Sequence, residues 1–210
     1  MATKNEPLKN NQKGPLSFDD LSASDLIRGT TPVDIKARCL TVCRSYLAAS
    51  WLSATEEDIE VTRITGGLTN QIYRVKLLKT DESVKRELCT DVAIKFYLPK
   101  LVANFDAEDG ERLNDTIILT ILSELGIHPR VFGIFKDGFV QEYVEHHQFG
   151  PEHQKQPELL RIVAHLMAKV HSLQVPIRKN LDALTSAMGR HIDEAYEDGR
   201  MELIKELNLK

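Results

Sequence analysis

With 210 residues, 42% hydrophobic and 28% charged, the chain has room for one large domain, and its composition is that of a globular protein, not of a collagen, a coiled coil or a wholly disordered chain. A net charge of −4, from 27 basic and 31 acidic side chains with no Lys/Arg-rich stripe, removes the counterion release that drives nucleic-acid binding, so no nucleic-acid partner is expected. The greasiest stretch, Ile117 to Leu122, is far shorter than the ~20 residues that cross a bilayer, and no membrane span is expected.

The first residues are polar, lack the apolar core of an export signal, and read as a disordered tail over residues 1–16. Cys39, Cys43 and Cys89 make an odd count in a chain without such a signal, which favours reduced thiols and a cytoplasmic location. Cys39 and Cys43 share a helix face, but no further Cys or His lies close in sequence to finish a metal site, so both are expected in the core.

Apolar residues recur at helical spacing from Ser17 to Arg28 and from Val33 to Ser50, the second stripe running through Ile35, Cys39, Val42, Cys43, Tyr46 and Leu47. The period then changes to two. Ile59 and Val61 alternate with Glu60 and Thr62, and Tyr73, Val75 and Leu77 alternate with Arg74 and Lys76, so two strands flank Gly66-Gly67-Leu68-Thr69-Asn70. A charged excursion, Lys79 to Glu87, precedes a third strand at Val92 to Tyr97, rich in β-branched and aromatic residues and stopped by Pro99. Asp115 to Leu125 is a helix with Gly126 and Pro129 as stop signals. Val131 to Phe135 and Phe139 to Val144 are strands around Asp137-Gly138, a dipeptide that accepts positive φ in a tight hairpin. A polar connector leads to a helix over Glu158 to Val175 with Leu160, Val163, Met167 and Val170 on its apolar stripe, and the charged remainder, Lys179 to Lys210, is mostly helical. The order is two helices, then β-β-β-α-β-β, then helices.

Three features carry chemistry. A glycine pair between two strands lets backbone N–H groups approach phosphate oxygens, so Gly66 and Gly67 are a candidate nucleotide clamp to which Thr69 and Asn70 would add donors, where a plain turn is the alternative. Lys95 ends Val-Ala-Ile-Lys, the sequence that marks the third strand of protein kinases, where the ammonium meets ATP phosphates and an acid on the next helix. Glu111 and Asp115 compete for that acid's role, at or near the start of the helix, and Asp115 is preferred because it lies beside the packed stripe at Ile118. The strand ending Glu142-Tyr143-Val144, with Glu145-His146-His147-Gln148 after it, occupies the place where kinase chains cross between lobes and offer backbone hydrogen bonds to adenine. Adjacent His146 and His147 point apart and read as solvated, not as metal ligands.

These residues resemble one family, the choline/ethanolamine kinases, from about Cys43 to Ile177. The likeness is carried by Cys43-Arg44-Ser45-Tyr46-Leu47, Trp51, the loop Ile64-Thr65-Gly66-Gly67-Leu68-Thr69-Asn70, the strand Ile94-Lys95-Phe96-Tyr97, and the helix from Asp115 to the Gly126/Pro129 turn. It continues through Val131 to Phe135 and Glu142-Tyr143-Val144. Family members more often carry Arg where Lys95 stands and Glu where Asp115 stands. The resemblance implies an α+β fold: a protein-kinase-like lobe with a five-stranded antiparallel sheet and a packed helix over residues 58–145, preceded by N-terminal helices over 17–57. A hinge over 146–157 then leads to a truncated helical C-terminal lobe over 158–210. It implies ATP contacts from Gly66, Gly67, Leu68, Thr69, Asn70, Gln71 and Ile72, from Lys95 with Asp115, and from Glu142, Tyr143, Val144, Glu145, His146, His147 and Gln148. Leu68, Thr69 and Asn70 would also lie near the phosphorylated end of choline or ethanolamine. His171 is read as structural. Mg²⁺ and a homo- or hetero-dimer are further implications.

Phosphoryl transfer needs an Asp in an H-x-D-x-x-x-x-N loop and a second Asp for Mg²⁺. The nearest match, His191-Ile192-Asp193, has Asp198 where Asn belongs and sits in a charged helical pattern, so no catalytic residue and no metal ligand is assigned. The chain therefore reads as an ATP-binding half, inactive alone, or as a non-catalytic nucleotide-binding or dimerising partner of a full-length kinase. An aminoglycoside phosphotransferase-like kinase is a weaker reading, since the residues before Gly66 resemble choline kinase better.

Overall fold

The computed structural model describes residues 26–27, 29–48, 50–64, 70–78, 89–98 and 110–177, together with Thr185, Met188, Gly189, Ile192, Asp193, Tyr196 and Glu206. The expected tail, most of the Ser17–Arg28 helix, the Gly66–Thr69 loop and the Lys79–Glu87 excursion lie outside the described residues. Leu26 and Ile27, at the end of that first expected helix, are not helical.

Two helices, α1 (Ile35–Tyr46) and the single turn α2 (Ser50–Ser53), precede strands β1 (Ile59–Ile64), β2 (Asn70–Leu77) and β3 (Asp91–Tyr97). Helix α3 (Gly110–Glu124) leads to β4 (Val131–Phe135) and β5 (Gly138–Glu142), and a short 3₁₀ turn at His153–Lys155 precedes α4 (Pro157–His171). The five strands form one antiparallel sheet in the order β1-β2-β3-β5-β4, so β3 is central and β1 and β4 are the edges.

The alternation visible in the sequence divides the sheet into two faces. On one, Tyr73, Val75, Val92, Ile94 and Val140 are buried beneath Cys39, Val42 and Cys43 of α1 and beneath Trp51 of α2. Each such fully buried apolar side chain contributes roughly 1.5–3 kcal/mol. The two α1 thiols are wholly buried, and burial pushes both well above the ordinary thiol range, which suits inert packing. Among the described residues no group of three His, Cys, Asp or Glu could hold a metal ion. The Trp51 indole is satisfied where it is buried, donating from Nε1 to the Cys89 carbonyl at 2.8 Å.

Tyr46 crosses from α1 to the far edge of the sheet, where its hydroxyl donates to the Ile134 carbonyl at 2.7 Å and its ring stacks on Phe135. The crossing depends on Gly133, beside an irregularity in the β4–β5 register, because a Cβ there would lie 2.0 Å from the Tyr46 ring. Gly133→Ala is expected to cost about 1–3 kcal/mol in chemical denaturation. A double variant with Tyr46→Leu should lose less than the two single losses combined, because the collision is then gone.

The α3 helix begins at Gly110, not at Asp115, so Asp115 sits inside the helix and not at its start. The first turn carries no apolar period, which is why spacing alone places the start too late. Its end matches the expected stop: Gly126 takes φ +65, Gly126 N–H donates to the Ser123 carbonyl and Ile127 N–H to the Leu122 carbonyl, the paired bonds of a Schellman close. Strand β5 stops at Glu142, two residues short of the expected Val144. Helix α4 buries none of its side chains, and Leu160 and Met167 of its stripe are 44% and 54% exposed. The described positions beyond residue 184 are helical, as their pattern predicts. No described helix is long and apolar enough to cross a membrane.

Candidate functional site

The second face of the sheet carries Lys95. Register places Ile64, Ile72, Lys95, Phe139 and Ile134 in one row across all five strands, with Lys95 at the centre. The next row toward the glycine loop pairs Asn70 with Tyr97, so the β1–β2 connection begins one side-chain repeat, about 7 Å, from the lysine. Gly66, Gly67, Leu68 and Thr69 themselves lie outside the described residues. Asn70 and Ile72 are on the lysine's face, whereas Gln71 is not.

Lysine in the middle of a central strand is an expensive residue unless something receives its charge. Here the Lys95 ammonium lies 5.2 Å from the Tyr97 ring centroid and 5.6 Å from that of Phe139, so two aromatic faces receive it. Burial lowers its pKa below 10.5 and the Asp115 carboxylate on α3 opposes that shift. The strand cation and the helix acid singled out in the sequence thus share one electrostatic environment. Glu111, the competing acid, has a side chain outside the described residues. The lysine's face therefore presents a half-buried cation beside two aromatic rings, within the field of the Asp115 carboxylate and one row from the start of the glycine connection. That arrangement can bind a polyanion.

Gln71 turns its side chain to the opposite face, because the pleat alternates. It is 1% exposed and fully engaged, donating to the Ile27 and Thr30 carbonyls at 2.9 Å each and accepting from the Tyr73 hydroxyl at 2.6 Å. Its side chain ties the segment before α1 to the hairpin and is not available to a ligand. Arg63 of β1 ties the same segment, donating to the Gly29 carbonyl at 2.8 Å.

At the other end of the lysine's face the chain leaves β5. Tyr143 N–H donates to the Asp91 carbonyl at 3.1 Å, and from Val144 to Phe149 the side chains are exposed and, among the described residues, no backbone N–H has a backbone partner. His146 bonds only locally, Nδ1 to the Val144 carbonyl at 2.8 Å. Glu142, Glu145, His147 and Gln148 are exposed, and Glu142 projects from the face opposite Lys95. Such a connector has backbone donors and acceptors to spare. His171 ends α4 exposed and so is not part of a packed core.

Two residues not singled out in the sequence belong to this end. Arg74 forms a forked ion pair with Asp91, Nε to Oδ1 at 2.9 Å and Nη2 to Oδ2 at 2.6 Å, and its guanidinium lies 4.0 Å over the Tyr143 ring. Hydrogen bonding to Asp91 holds Arg74 charged well above the ordinary range. Both stand at positions sharing the parity of Ile72 and Lys95 on their strands, a signal readable only once the register is known.

A model describing the choline/ethanolamine kinases matches residues 61–209, well over half the chain, with Lys95, Asp115 and the exit of β5 inside it. The chain belongs to the choline/ethanolamine kinase family. Among curated relatives, "Choline kinase A2" of Caenorhabditis elegans is 26% identical over 175 residues, covering 83% of this chain and 39% of that protein. The human protein described as "Choline/ethanolamine kinase" is 26% identical over 164 residues, covering 78% and 40%. The chain thus spans about two fifths of the length of the kinases it matches. Among solved structures, Plasmodium vivax ethanolamine kinase superposes with a TM-score of 0.51 at 16% identity, covering 79% of this chain and 39% of that one. A choline kinase from Cryptosporidium parvum gives 0.50 at 19%, covering 69% and 37%. Those two likenesses establish the fold, the kinase-like α+β architecture of choline/ethanolamine kinases.

Proposed function

We propose that this chain is the ATP-binding portion of a cytoplasmic choline/ethanolamine phosphotransferase, an enzyme that moves the terminal phosphoryl group of ATP to the hydroxyl of choline or ethanolamine at the entry to phosphatidylcholine and phosphatidylethanolamine synthesis. The observation that carries the reading is Lys95: a half-buried central-strand cation that feels the Asp115 charge, one row from the start of the glycine connection, in a chain of this family.

In this reading the Gly66 and Gly67 backbones and the Thr69 and Asn70 side chains surround the phosphates, with Leu68, Thr69 and Asn70 also beside the acceptor hydroxyl. Ile72 flanks the nucleotide from β2, and Gln71 acts by anchoring the hairpin. Lys95 neutralises phosphate charge, and the backbone from Glu142 to Gln148 receives the adenine edge. Mg²⁺ belongs to the family's reaction; among the described residues no group of three His, Cys, Asp or Glu could hold it, and no residue of this chain is assigned to it.

The 210 residues contain no H-x-D-x-x-x-x-N sequence, so the chain has no assigned base for the acceptor hydroxyl. It is expected to bind ATP in calorimetry and to form no phosphocholine or phosphoethanolamine from radiolabelled ATP. Turnover abolished by Lys95→Ala would show that the chain holds a complete catalytic site and overturn this prediction. A second reading, a non-catalytic partner that dimerises with a full-length kinase, is favoured by the uncovered α4 stripe at Leu160 and Met167. Co-purification with such a kinase, lost on Met167→Glu, would support it.

A further inference from the structure

We propose that Arg74, oriented by Asp91, is a positioning residue that fixes Tyr143 and thereby presets the connector backbone for a nucleobase. The inference rests on the nucleotide reading above and adds to it a device that sets how well the base is held.

Regular hydrogen bonding ends at Glu142, and the residues that follow have neither strand nor helix to hold them. A connector free to wander would pay its ordering cost each time a ligand docked. Tyr143 removes that freedom at the first position, because it is held twice. Its backbone N–H bonds the Asp91 carbonyl at 3.1 Å, and its ring lies under the Arg74 guanidinium at 4.0 Å. Both restraints lead back to Asp91. The carboxylate of that residue takes Arg74 Nε and Nη2 in a fork, which fixes the plane of the guanidinium as a single point contact could not. Arg74 is on β2 and Asp91 on β3, so the fork transfers the order of the sheet centre to the chain leaving β5. The Tyr143 ring then meets the His146 ring at 6.0 Å in a tilted contact, which reaches the middle of the connector.

The site therefore divides into a phosphate end, built on Lys95, and a base end, built on a connector held by Arg74. Loss of the Arg74 clamp should weaken what the base contributes and spare what the phosphates contribute, a pattern general destabilisation would not produce. The test is displacement of a fluorescent ATP analogue from the full chain by ATP and by inorganic tripolyphosphate, which has phosphates and no base. Arg74→Lys keeps the charge but not the fork, and Arg74→Gln removes both. The two Arg74 variants are expected to bind ATP roughly 3–30-fold more weakly, with tripolyphosphate unchanged within about twofold. Equal weakening toward both ligands, or unchanged ATP affinity in both Arg74 variants, overturns the clamp while leaving the nucleotide reading intact. A wild-type chain that binds neither ligand removes the nucleotide reading, and this inference falls with it.

Discussion

Alanine at position 138 is expected to lower the melting temperature by roughly 6–12 °C, the equivalent of about 3 kcal/mol for a chain of this size. Gly138 opens β5 opposite Phe96, and a Cβ there would lie 2.0 Å from the Lys95 carbonyl oxygen and 2.6 Å from the Phe135 ring. The aromatic ring could turn aside, but the carbonyl belongs to the central strand and can retreat only if β3 and β5 separate. Separation would loosen the pairing that fixes Lys95 between Ile72 and Phe139, so the same substitution should also weaken ATP binding in the chain that remains folded. Differential scanning calorimetry with an ATP titration below the transition reads both effects. A melting temperature within 1–2 °C of wild type, a range set by ordinary surface substitutions, would mean that the two strands are not this close.

Gly138 also shows what periodicity reads and what it does not. Asp-Gly between two apolar runs predicts a hairpin, and the hairpin is there, but its glycine is not among the described glycines with positive φ. The reason for the glycine is a tertiary approach, invisible along one strand. The order β-β-β-α-β-β was legible because each strand alternates and each helix repeats at 3.6, local properties that survive folding. Lys95 stands out in the sequence because a motif carries it, and Asp115 only because it lies beside the packed stripe at Ile118. The loop motif includes Gln71 without giving its face, and the pleat sends its side chain toward Tyr73 and Ile27. Arg74 and Asp91 were missed for the same reason. They are 17 residues apart, and nothing in the sequence joins them until β2 and β3 are laid in register.

ATP affinity is expected to fall as pH rises through the Lys95 titration, at a pH below 10.5, because burial makes the ammonium easier to deprotonate and only the charged form holds phosphate. Stability should respond in the opposite sense. The folded lysine releases its proton at a lower pH than the unfolded one, so between those two values the unfolded chain binds more protons, and its linkage contribution to stability rises with pH. Asp115→Asn removes the charge that partly offsets burial, so in that variant the loss of ATP affinity should begin at a lower pH than in wild type. Lys95→Met should bind ATP roughly 10–100-fold more weakly at neutral pH, the range of a charge-assisted hydrogen bond, and should lack this pH-dependent limb. Isothermal titration at several pH values across the three chains measures the set. A Lys95→Met chain that keeps the wild-type profile would assign the titration to another group. An Asp115→Asn profile superimposable on wild type would leave the strand cation without its helix partner, and would remove the pairing on which the proposed phosphate site rests.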